Sequence, residues 1–527
     1  MKHHLLFLAG TAAATTLKID PIVQVPFTSA SYSGVYLPTF KQDAFLGINF
    51  APEPRRFTPA TLATPSGHTD AKKYGNSCPA YGGDTDYIKG ISEMKEDCLN
   101  LNIVRPSGIH GNLPVMVWIY GGGWQMGSNA DPRYNLSYIV EQSVLSGKPV
   151  IGVSINYRLA GFGFLYSQEV ANSGNTNLGL RDQRTALQWI QKYIRSFGGD
   201  PRKVTIWGES AGGYSVGNHL LAYGGKDEGL FRSAILQSGT AVGPPVNDSR
   251  WYQPLYNKVT AAVGCSEAFD TLECLRGIPY DAMYKALNVG PEWFATVDGD
   301  MIRSWPTTAE HAGKMVKVPL LLGSNTDEGT SFGSKGINTD EQAVAALISS
   351  KRWLMTKSQA AHLWSLYSTN PALGCPYGTG NATFSENGLQ YKRYSSVSGD
   401  LSMDAPRRLL AETASGLGSP VFSYRFDANL PNNTKAIGVG HFQDVPFVFS
   451  NPVQTFAPLG NDTARLALAH KMARFWTAFA HDGNPGAEWP AYTKEKPQNM
   501  VLRTDKSYVE ADTYRVTAMK YINSMLR

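Results

Sequence analysis

Beyond residue 110 the chain alternates short, unbroken apolar runs with longer stretches whose apolar positions recur at helical spacing. Residues 115–120 form such a run and end in Gly121, Gly122 and Gly123. Residues 150–157 form a second run, entered just after Pro149. Leu180, Leu187, Ile190 and Ile194 then share one helical face, and Gly198 and Gly199 stop that helix. A third run at 204–207 leads straight into a second helical stretch over 211–223, and further runs follow at 234–237 and 318–322. Continuous apolar strands alternating with helices predict a largely parallel sheet covered on both faces. Residues 250–315 and 340–415 read mainly as helices inserted over that sheet. The first hundred residues, rich in Pro, Gly and Thr, predict β-structure and loops wrapped around it.

Composition narrows the class. The chain has 527 residues, 42% hydrophobic and 17% charged, which suits a large packed core rather than disorder. The net charge of +5 is spread thinly, with no basic stripe to grip nucleic acid. No apolar run reaches the roughly 18 residues of a membrane span, so no stable membrane insertion is expected. Residues 1–14 have a basic start at Lys2, an apolar stretch and a small-residue cleavage site at Ala12–Ala14, the layout of a secretory signal. The expectation is therefore a secreted protein with residues 15–527 as a single catalytic domain. Five cysteines fit export; near-neighbour pairing would leave Cys375 alone. Asn135, Asn247, Asn381, Asn432 and Asn461 head N-glycan acceptor triplets, at a frequency close to chance.

The sharpest chemical signal is Gly208-Glu209-Ser210-Ala211-Gly212, placed after an apolar strand and before a helix. In that setting the glycines relieve crowding at a sharp turn that exposes the Ser210 hydroxyl, and the helix start offers free N–H groups. A serine nucleophile needs a base, and the base needs an orienting acid. Of the ten histidines, His441 fits best, on a Gly-flanked loop ahead of residues 445–449. Asp327 and Glu328 both qualify as the acid, in a turn after the 318–322 run, and spacing does not choose between them. Gly121, Gly122 and Gly123 can turn consecutive backbone N–H groups towards a developing oxyanion. The glycine loop lacks the Lys-Ser/Thr of a phosphate loop and the spacing of a dinucleotide fold. No zinc or calcium pattern is present, so neither metal nor cofactor is expected.

Taken with residues 45–51, 96–102, 156–159, 177–184, 197–201, 231–239, 325–329 and 483–485, these motifs resemble the type-B carboxylesterase/lipase family, the cholinesterase-like α/β-hydrolases. The likeness runs from about residue 30 to the end. It implies an α/β-hydrolase fold, Ser210 as nucleophile, Glu328 as acid and His441 as base. It also implies oxyanion donors at Gly122, Gly123 and Ala211, bridges Cys78–Cys98 and Cys265–Cys274, and an Arg56–Glu96 ion pair. The family's flexible lid would be the Cys78–Cys98 loop, here short and polar. With Trp124 and Tyr214 expected as bulk in the substrate pocket, this favours hydrolysis of soluble short, medium or compact small-molecule esters. The alternatives are a lipase, a natural-product-tailoring acyl hydrolase or transferase, and a non-catalytic adhesion member; the intact triad argues against the last.

Overall fold

The apolar runs lie side by side. The computed structural model describes residues 20–109, 111–289, 293–350, 353–452, 459–525 and 527, so the expected signal segment lies outside the described residues. One sheet of eleven strands runs through the centre. Its strands are β1 (Val35–Leu37), β2 (Gln42–Asn49), β3 (Asn100–Pro106), β4 (Leu113–Ile119), β5 (Ile151–Ile155), β6 (Gly199–Glu209), β7 (Ser233–Gln237), β8 (Leu320–Asn325), β9 (Val421–Phe426), β10 (Gln498–Leu502) and β11 (Tyr508–Ala511). Their spatial order is 11-10-9-8-7-6-4-5-3-2-1. From β5 to β10 all neighbours are parallel, whereas β1–β3 and β11 add antiparallel edges. A smaller sheet of Ile22–Gln24, Ser31–Ser33 and His68–Asp70 completes the β-rich first hundred residues.

The helices that matter for chemistry are α1 (Leu178–Tyr193), α2 (Ala211–Gly225), α3 (Gly329–Phe332) and α4 (Val445–Phe449). Strand β6 is longer than the apolar run at 204–207, because pairing on both sides carries polar residues into the ladder. The regular part of α2 is shorter than 211–223, since Ala222, Tyr223 and Gly224 leave helical backbone angles. Beneath the centre, Trp118 of β4 meets Trp207 of β6 at 4.5 Å and Phe449 of α4 at 4.9 Å. Such ring pairs add about 0.5–1.5 kcal/mol each beyond simple burial, and here they brace the end of β6.

The bridges Cys78–Cys98 and Cys265–Cys274 are formed, and Cys375 is a buried free thiol. Arg56 pairs with Glu96, Nε to Oε2 at 2.9 Å. Among the described residues no helix is long and apolar enough to cross a membrane. Of the five acceptor asparagines Asn247 is buried, which bars a glycan there in the folded chain.

Candidate active site

Ser210 is the hinge between β6 and α2, at φ 55° and ψ −121°. A non-glycine residue in that region is strained, and the surroundings hold it there. Its N–H donates to the Gln237 carbonyl at 3.0 Å, and its own carbonyl accepts from Tyr214 N–H at 2.8 Å. Gly212 is required sterically: a Cβ there would lie 1.9 Å from the Ile119 carbonyl oxygen of β4. Helix and sheet thus pack at backbone contact, which sets the serine at the carboxyl end of the parallel strands.

Glu328 and His441 come from further along the same sheet edge. Glu328 follows β8 and is buried. Its Oε1 accepts from the Asn325 N–H at 2.8 Å and from the Ser238 hydroxyl. Its Oε2 lies 2.7 Å from His441 Nδ1. Asp327, the rival acid, turns away: its carboxylate accepts backbone N–H bonds from Tyr377 at 2.7 Å and Val439 at 2.8 Å. The opposite nitrogen of the imidazole, Nε2, lies 3.3 Å from Oε1 of Glu209. His441 therefore sits between two carboxylates, with Phe332 edge-on to its ring at 4.8 Å.

Electrostatics follow from that placement. Burial disfavours charge on His441, but the carboxylates of Glu209 and Glu328 outweigh it and push the imidazole up to about 9. Burial pushes Glu209 up to about 8, against the pull of His441. Burial also raises Asp444, whose carboxylate accepts from Gln237 Nε2 at 2.7 Å and the Tyr424 hydroxyl at 2.8 Å. The whole cluster favours positive charge on the imidazole, the charge a general base gains when it takes a proton.

Gly122 and Gly123 follow β4 with φ of 88° and 64°. A Cβ on Gly122 would lie 2.4 Å from the Met126 carbonyl oxygen, so only glycine makes this turn. Among the described residues no acceptor takes the N–H groups of Gly122, Gly123 or Ala211. The glycines, Ser210, Glu209, Tyr214 and His441 line one cavity of about 640 Å³. Trp124 lies one layer behind it. Its buried indole donates to the Ser215 hydroxyl at 2.9 Å and packs edge-on against Tyr214 and Phe294, which do line the wall.

The disulfide loop is tied down over the cavity. Asp84 reaches Arg133 at 2.9 Å, and the Tyr87 ring covers the same guanidinium at 4.1 Å from its centroid. Arg133 is itself fixed by Asp131 at 2.6 Å. Tyr81 stacks on Tyr284 at 4.5 Å, and each hydroxyl donates to a backbone carbonyl on the other side at 2.7 Å. Of the loop's larger apolar side chains Ile91 is 41% exposed, Tyr81, Tyr87 and Met94 are half-buried and Ile88 is buried.

The sequence profile described as the Carboxylesterase family matches residues 20–521. The chain belongs to that family. It is a carboxylic ester hydrolase of α/β-hydrolase fold. It is 33% identical to the secreted triacylglycerol lipase LIP1 of Gibberella zeae over 92% of this chain and 87% of the relative. It is 34% identical to lipase 2 of Geotrichum candidum, over 82% and 78% of the two chains. The crystal structure of Aspergillus niger EstA superposes with a TM-score of 0.82 at 28% identity, covering 96% of this chain and 98% of that one. Within this carboxylesterase-family frame, sequence reasoning assigned no role to Glu209, Ser238, Asn325, Asp444 or Arg133. Glu209, Ser238 and Asn325 stood inside matched motifs, but nothing in their spacing showed which way their side chains face.

Proposed function

We propose that this ester hydrolase is a secreted esterase for soluble short-chain, medium-chain or compact esters, working through an acyl-enzyme on Ser210. The observation that carries the mechanism is His441 held at 2.7 Å by Glu328 in the cavity that Ser210 lines. Ser210 Oγ attacks the ester carbonyl while His441 Nε2 takes its proton. The N–H groups of Gly122, Gly123 and Ala211 stabilise the oxyanion, at about 3–4 kcal/mol for each donor of this type. The tetrahedral intermediate collapses as His441 returns the proton to the leaving alcohol. Water then enters by the same route in reverse, and Glu328 steadies the imidazolium in both halves.

The substrate reading rests on the tethered Cys78–Cys98 loop. A flap with one exposed large apolar side chain, pinned by Asp84, Tyr87 and Tyr81, offers little grip on an oil–water surface. It also adds little of the ~0.8 kcal/mol per methylene that sheltering a long tail supplies. Secretion is supported by the signal-like residues 1–14, two disulfides and relatives named as secreted. The test is kcat/KM across 4-nitrophenyl esters from acetate to palmitate, with emulsified triolein alongside. A maximum at short or medium chains with no rise on emulsion supports the esterase. A steep rise on emulsified triolein makes the enzyme a lipase.

A further inference from the structure

Asp327 carries a buried carboxylate that the mechanism above does not use, although it stands next to the acid. Its surroundings tie three distant pieces of chain together. Asp327 N–H donates to the Val439 carbonyl at 2.8 Å, and the Val439 N–H returns a 2.8 Å bond to Asp327 Oδ2. The other oxygen, Oδ1, accepts the Tyr377 N–H at 2.7 Å and faces the Cys375 thiol at 3.6 Å. Space for the carboxylate exists because residue 438 is glycine: a Cβ there would lie 2.2 Å from Oδ2. Val439 is two residues before His441.

The rest of the joint between the two loops is sparse. The Thr330 hydroxyl donates to the Ile437 carbonyl at 2.8 Å, and the His441 N–H donates to the Ser331 hydroxyl at a long 3.2 Å. The residue after the histidine, Phe442, sits at φ 75°, a strained conformation that only its neighbours enforce. Val439 is thus the last firmly paired residue before the imidazole. We propose that Asp327 is a positioning residue for His441: its carboxylate locks residues 438–439 to the acid turn and so keeps the imidazole on Glu328. The proposal rests on the Ser210–Glu328–His441 reading. It also explains why the two adjacent acids do different work. Glu328 meets the ring, whereas Asp327 meets only the backbone N–H groups and thiol around it. Deleting the latter should leave substrate binding intact and slow the chemical steps, because a misplacement near 1 Å costs on the order of a hundredfold in rate.

The experiment compares Asp327→Asn, which keeps shape and one acceptor, with Asp327→Ala. Rates are counted per site titrated with a fluorophosphonate, so loss of folded enzyme does not enter. Amide hydrogen exchange of the peptide spanning Val439 is read in parallel. The expected result is a kcat lowered about tenfold in Asn and about a hundredfold in Ala, with KM within a few-fold and faster exchange in both. Should Ala fail to fold, the Asn variant alone decides. A kcat within twofold of wild type, or a loss borne by KM, or unchanged exchange, overturns the proposal. A wild-type enzyme that neither hydrolyses esters nor takes the probe at Ser210 would instead overturn the underlying triad.

Discussion

Replacing Glu209 by Gln tests the electrostatics of the site with one nearly isosteric change. Wild-type His441 has a carboxylate on each side, Glu328 at 2.7 Å and Glu209 at 3.3 Å. Both favour the imidazolium in raising the imidazole to about 9, Glu209 by its charge and Glu328 by its charge and its hydrogen bond. Against an ordinary 6.5 that rise corresponds to ~3 kcal/mol. A unit charge at 3.3 Å in a medium of effective dielectric near 20 has a ceiling of about 5 kcal/mol, so one carboxylate can supply most of it. Neutralising Glu209 should therefore lower the imidazole by at least about one pH unit, equivalent to ~1.4 kcal/mol. The sign follows directly. A base works only when unprotonated, so activity appears as pH rises through its pKa, and a lower pKa moves that limb towards acid. The assay is kcat/KM on a soluble short-chain ester between pH 5 and 10, which reports groups of the free enzyme. Between about pH 8, where Glu209 itself ionises, and the wild-type midpoint near 9, the Glu209→Gln enzyme should retain a larger share of its own maximum than wild type does. The maximum itself is free to fall, since Glu209 also faces the reacting nitrogen. An acid limb that stays put or moves to higher pH would refute the reasoning.

Glu328→Gln should lower kcat by about four orders of magnitude, far more than Asp327→Asn, because a neutral amide cannot steady the imidazolium; titrated turnover on one ester checks the order. Ser210→Ala should leave the melting curve in place and remove hydrolysis by roughly a millionfold. Gly212→Ala should yield little soluble enzyme, since its Cβ would fall 1.9 Å from the Ile119 carbonyl oxygen in two packed backbones. Glu310 is buried, and desolvation lifts it to about 8, with neither carboxylate oxygen hydrogen-bonded among the described residues. The folded chain then holds a proton that the unfolded chain releases above about 4.5, so stability falls by ~1.4 kcal/mol per pH unit between the two values. Glu310→Gln should remove that slope. Its melting advantage, measured by calorimetry, should be absent near pH 4 and full above pH 8.

The parallel centre of the fold was legible because its strands are buried on both faces and read as unbroken apolar runs. Strands β1–β3 were less so, because the antiparallel edge carries polar residues such as Gln42, Asp43 and Asn100 that are buried by partners far away in sequence. Ser210 and the glycines around it were visible because backbone geometry demands those residue types at those places. The choice of Glu328 over Asp327 was not legible in spacing, and came only as what the family resemblance implies. Both follow the same strand, and the path of the 375–377 and 437–441 segments brings Glu328 to the histidine. Trp124 shows the reverse failure. Its place beside the glycine loop suggested a pocket wall, but φ 62° turns the indole inward to Ser215 and leaves Tyr214 and Phe294 as the surface.

The same distinction lets a chain similar to named lipases prefer soluble esters on the proposed reading. The reacting groups hang on strand ends and sharp turns, which the sheet fixes for any substrate. Access is set elsewhere, by side chains on loops that the sheet does not constrain. Arg133 illustrates this. It lies far from Asp84 and Tyr87 in sequence, is buried beneath them, and is anchored by Asp131 from its own turn. A buried guanidinium left without Asp84 would keep one carboxylate instead of two, so the cost of lifting the loop falls on the loop side of the pair. Letting the Cys78–Cys98 loop swing would also separate Tyr81 from Tyr284 and expose the carbonyls their hydroxyls cap. The bridge holds the loop's ends, and these three contacts hold its middle. On the proposed reading, substrate range follows the strength of that fastening rather than the catalytic residues beneath it.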